Sequence, residues 1–123
     1  MIGVIVLANA PFFDAKLNAL SFKIRPFLVV GESDAGDYTM LPVSRITNKR
    51  NLDPNYDIEI NPQTYPLLKL KALSYIRAHK ATVVHKSAID YKLGNMKFNY
   101  PDLYLEVIEK FEEYCKNLIL NAI

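Results

Sequence analysis

Two apolar segments constrain the chain most. They are "RPFLVVG", Arg25 to Gly31, and "YTMLPVS", Tyr38 to Ser44, with the polar "ESDAGD" between them. β-branched and aromatic runs on either side of a short Ser/Asp/Gly turn commit this region to an antiparallel hairpin. Pro26 is tolerable in such a strand only at its first position or on an open edge. Arg25 precedes that proline and is therefore held extended. A tight turn brings the start of one strand beside the end of the other, so Arg25 and Ser44 become neighbours. An extended, fixed guanidinium beside a hydroxyl suits a phosphate, which it can grip with two parallel hydrogen bonds. The same two residues also suit a bland role, with Arg25 lying over the rim and Ser44 capping a turn.

The rest of the chain reads around this hairpin. "GVIVLA", Gly3 to Ala8, is a central strand, and Asn9 to Ser21 reads as a long loop because of its Pro and Asn residues. "RITNKRNLDPN" is a loop, "YDIEI" alternates as a half-buried strand, and "NPQTYP" turns again. "LSYIRAHKATVVH", Leu73 to His85, gives one or two strands, and "KSAIDYKLGNM" a short helix or turn. From Pro101 the residues Leu103, Val107, Ile108, Phe111, Cys115, Leu118 and Ile119 fall on one helical stripe. Pro101 suits the first turn, and Asp102 and Glu106 suit the positive end of the helix dipole. About five or six short strands closed by a helix predict a mainly-β (α+β) domain, a small curled antiparallel sheet or barrel with the helix packed on it.

The totals fit one domain over residues 1–123, with half the residues hydrophobic, including eight Tyr and six Phe. A single cysteine excludes an internal disulfide and fits a reducing compartment. The N-terminal apolar run lacks a charged leader and is too short to span a bilayer, so a cytoplasmic protein is expected. The net charge of +2 hides a segregation. Lys69 to Lys97 hold seven cations and only Asp90 as an anion, while Asp102 onward holds five anions and two cations. The basic segment is either solvated surface or a polyanion site.

Conventional sites are weakly represented. His79, His85 and Cys115 have no metal-ligand spacing, and Cys115 lies on the apolar stripe of the helix. Four glycines and no Gly-rich phosphate loop argue against a nucleotide cofactor. No cofactor and no metal are expected.

"KIRPFLVV", then "YTMLPVS", "ALSYIRAHKATVV" and "LGNM" before a C-terminal helix resemble the MazF/PemK family of toxin endoribonucleases. The likeness is greatest to the branch whose second strand opens with Lys-x-Arg-Pro. It covers nearly the whole chain, and the order and spacing of the motifs carry it. The chain departs from many relatives in having Val4 after Gly3 and "LSFK" before Arg-Pro.

The resemblance implies an SH3-like barrel and a homodimer that cleaves single-stranded RNA without metal, neutralised by a small antitoxin with an acidic tail. It implies Arg25 and Ser44 as catalytic residues. Lys23, Ser74 and Arg77 become RNA-binding residues, together with Lys80 and Lys86 of the basic segment. The reaction implied is attack of the ribose 2′-OH on phosphorus, giving 2′,3′-cyclic phosphate and 5′-OH ends. His79, His85 and Arg25 itself are the candidates for the general base. A catalytically silent barrel that binds RNA or a protein, or a gyrase-directed toxin, is compatible with the same fold.

Overall fold

The hairpin is present, and its first strand also belongs to a longer one. The computed structural model describes the backbone of residues 1–123 and every side chain except those of Phe12 and Phe13. β1 (Val4–Asp14) and β2 (Ala19–Glu32) pair antiparallel from Ile5 opposite Leu28 out to Asp14 opposite Ala19. The segment expected as a loop, Asn9 to Ser21, is instead the outer half of this ribbon. Its exposed residues give no buried alternation to read. Its register comes from the turn, where the Asp14 carboxylate accepts the Lys16 and Leu17 amides at 2.9 and 3.4 Å and Asn18 turns at φ 50°.

β3 (Asp37–Ser44) pairs with β2 from Glu32 opposite Tyr38 to Phe27 opposite Pro42. Gly36, at φ 81°, closes the turn between them, and the Ser33 amide donates to the Asp37 carbonyl at 2.9 Å. β2 therefore has β1 alone as neighbour from Ala19 to Pro26. Pro26 lies in the strand interior rather than at its start, but on the stretch whose second side is open.

β3 then divides its far side. Asp37 to Met40 pair with β6 (Thr82–His85), and Val43 and Ser44 pair with β5 (Ser74–Arg77), which pairs in turn with β4 (Asp57–Ile60). β7 (Ile89–Asn95) lies on the other side of β1. The strand order is β4-β5-β3-β2-β1-β7, with β6 branching from β3. The result is a mainly-β antiparallel half-barrel of seven strands, more than the five or six expected. The additional strand is β7, read from sequence as a turn or short helix. It is an edge strand with Asp90, Tyr91 and Lys92 exposed, so hydrophobic periodicity is missing from it.

Successive residues of the central strands face opposite sides. Ile5, Leu28 and Leu41 join one buried cluster, and Val6, Val29 and Met40 join the other. The first cluster extends under the short α1 (Met96–Asn99) and α2 (Pro101–Ala122) through Met96, Leu103 and Val107. Each fully buried aliphatic side chain contributes about 1.5–3 kcal/mol. The helical stripe is only half used. Ile108, Phe111 and Cys115 are half-buried, whereas Leu118 and Ile119 are exposed. No helix is long and apolar enough to cross a membrane.

Candidate nucleic-acid interface

Arg25 and Ser44 lie two residues beyond the last β2–β3 pair, Phe27 opposite Pro42, on their respective strands. At that point β3 leaves β2 for β5, and Ser44 pairs with Tyr75. A groove of about 910 Å³ lies where the strands part, and Arg25 and Ser44 both line it. Both side chains are partly exposed. A cation and a hydroxyl thus line one groove.

The groove is strongly cationic. Lys23, Arg25, Arg45, Lys69, Lys71, Arg77 and Lys80 line it, and no carboxylate is among the described lining residues. That is seven of the fifteen Lys and Arg residues of a chain whose net charge is only +2. Such a one-signed cleft concentrates polyanions regardless of the overall charge. Leu7, Ile24, Pro26, Val43, Ile46, Leu70 and Leu93 also line it, so apolar side chains lie among the cations. Ser74, expected to contact RNA, lines the groove but is 4% exposed, and its hydroxyl donates to the Ala72 carbonyl at 2.9 Å.

Arg77 is anchored from behind. Its Nε donates to Oδ1 of Asp57 at 3.1 Å, and its Nη2 reaches Oδ2 at 3.4 Å and the Asn51 carbonyl at 3.2 Å. His79 packs beside this pair, with Tyr56 and Tyr114 near its ring. Burial pushes its pKa below the ordinary 6.5, against the pull of the Asp57 carboxylate and with the help of the Arg77 charge.

The basic segment does not form one face. Lys69, Lys71, Arg77 and Lys80 reach the groove, but Lys86 sits at the opposite end of β3, where its amide donates to the Gly36 carbonyl at 2.8 Å. β6, which ends at His85, pairs with the turn-proximal half of β3 and so carries Lys86 away from Ser44. His85 shares that location, its Nδ1 accepting the Ser87 amide at 3.1 Å as a cap. His79 lies behind Arg77 and is not a lining residue. Neither histidine therefore faces the groove. Two lining lysines, Lys69 and Lys71, were legible only as members of the basic segment. Arg45 was not singled out, although it directly follows Ser44. Among the described residues no cluster of His, Cys, Asp and Glu is arranged to hold a metal ion. No protein-family model and no curated protein sequence matches the chain.

Proposed function

We propose that this chain is a metal-independent endoribonuclease of the MazF/PemK kind, acting on single-stranded RNA bound in the groove. One observation carries the reading. Arg25 and Ser44, on strands that part at this point, line one cleft together with six further cations and, among the described residues, no carboxylate. The fold is compatible with the small barrel that the resemblance implies.

The reaction is an internal transesterification. The ribose 2′-oxygen forms a bond to the adjacent phosphorus, the bond to the 5′-oxygen breaks, and a 2′,3′-cyclic phosphate and a 5′-OH result. The nucleophile belongs to the substrate, so the protein's task is to hold it in line. Arg25 donates to the non-bridging oxygens as their charge grows, and the Ser44 hydroxyl donates to the same oxygens. Lys23 adds field at the phosphate. In this reading the 2′-OH proton leaves and the 5′-oxygen gains one, and of the three candidate bases Arg25 is the one that lines the groove. The working unit in this reading is a cytoplasmic homodimer, and the acidic tail of a small antitoxin competes with RNA for the groove.

That no imidazole or carboxylate is among the described lining residues favours a second reading, a catalytically silent barrel that binds RNA in the same place. Incubating the protein with a long single-stranded RNA in EDTA separates the two. Fragments with 5′-OH ends support the nuclease. Saturable binding with intact RNA supports the silent barrel, and neither result refutes both.

A further inference from the structure

Arg77 reaches the groove while an interior acid fixes its placement. Asp57 and Arg77 are directly opposed in the β4–β5 register. The Asp57 side chain is 1% exposed and does not line the groove, whereas Arg77 is 22% exposed and does. The carboxylate is oriented by the Asp53 amide, which donates to Oδ2 at 2.7 Å. It engages Nε and Nη2 of the guanidinium, and Nη2 also ties the Asn51 carbonyl, at the end of the 3-10 turn Lys49–Asn51. Asn51 belongs to the groove's rim. Nη2 lies 3.5 Å from Nε2 of His79. The two hydrogens of Nη2 go to Asp57 and Asn51, so the His79 ring packs against this nitrogen as a neighbour. Nδ1 lies 3.9 Å from Asp57 and is buried without a hydrogen-bond partner. Two sides of the guanidinium are thus engaged, and Nη1 has no acceptor among the described residues.

We propose that Asp57 is a positioning residue for polyanion binding. From beneath the groove it holds Arg77 so that Nη1 meets a phosphate, and through Arg77 it holds the Asn51 rim in place. The inference rests on the reading of the groove as a nucleic-acid site. It makes a counter-intuitive prediction of sign. By long-range electrostatics alone, neutralising an acid beside a cationic groove strengthens RNA binding. If the acid positions Arg77, the same change weakens binding.

The test is Asp57→Asn, which keeps the shape but places an amide N–H against either the Asp53 amide or the guanidinium. The probe is a fluorescent single-stranded oligonucleotide with 2′-O-methyl riboses, which lacks the nucleophile and stays intact. Its Kd is measured over a salt series. Asp57→Asn is expected to raise Kd about 5-fold at 0.1 M salt and to flatten the salt slope by about 0.7, the loss of one phosphate contact. Arg77→Gln is expected to do the same, and the double variant no more than Arg77→Gln alone. Arg77→Lys, which keeps the charge but lacks the fork that Asp57 grips, is expected to lose most of what Arg77→Gln loses. That variant decides the matter if Asp57→Asn does not fold. Wild-type affinity or tighter in Asp57→Asn, or wild-type affinity in Arg77→Lys, overturns the inference and leaves the groove reading standing. A wild-type protein that does not bind the oligonucleotide overturns both.

Discussion

Lys80 and Lys86 are six positions apart in one basic segment, yet the fold sends them to different places. Lys80 lines the groove, and Lys86 stands beside Gly36 at the opposite end of β3. Neutralising each to Gln tests whether the groove is where a polyanion binds. A single strand loses about 0.7 in the slope of log K against log salt for each phosphate contact removed. At 0.1 M salt one contact is then a factor of about 5 in affinity. Lys80→Gln is expected to weaken binding by that factor and to flatten the slope by about 0.7. Lys86→Gln is expected to stay within about 2-fold, since a distant exposed charge is screened over about 10 Å at this ionic strength. If all seven lining cations contact phosphates, the wild-type slope reaches about −5 and no steeper. Fluorescence anisotropy with the 2′-O-methyl oligonucleotide reads all three quantities. Equal losses for the two variants, or a larger loss for Lys86→Gln, would refute the placement of the RNA site in the groove.

Three further outcomes are expected. Burial holds the His79 pKa below 6.5, so the unfolded chain binds more protons than the folded one just below that pH. Stability therefore falls as pH drops from 6.5 toward the folded-state value, and urea titrations of His79→Gln across pH 5–7 should lack that component; an unchanged pH dependence counts against it. Gly94→Ala places a Cβ against the Leu67 carbonyl and 3.0 Å from the Leu68 Cα, backbone that cannot swing aside. It should cost about 1–3 kcal/mol of unfolding free energy, read from urea titration, and a neutral result would mean that β7 and the Pro66–Leu68 turn separate easily. Sedimentation at micromolar concentration should show a homodimer under the proposed function, and a monomer alone would contradict that part of it.

The parts of the fold that bury one face were legible. Ile58 and Ile60 alternate with exposed Glu59 in β4, and Leu103 and Val107 mark the helix, because burial imposes periodicity. The outer β1–β2 ribbon and β7 were not legible, because exposed edge strands are held by backbone pairing and turn geometry, which leave little hydrophobic pattern. Within the site, that Arg25 and Ser44 would stand at the same end of the hairpin followed from its register. The destination of each lysine did not, since it depends on which half of β3 the strands β5 and β6 choose. The Asp57–Arg77 contact left a faint signal, opposite charges on two strands that pair. It needed the β4–β5 register to be read.

The central claim is that Arg25 stabilises a phosphate as charge develops on it, and the single-turnover cleavage rate of Arg25→Ala tests it most directly. With the RNA in EDTA and folding checked by the thermal midpoint, the rate is expected to fall about 100- to 1,000-fold, the usual loss for one such donor. Affinity for the 2′-O-methyl strand should fall only by about 5-fold, the share of one phosphate contact at 0.1 M salt. A folded Arg25→Ala protein that cleaves at the wild-type rate would contradict the account.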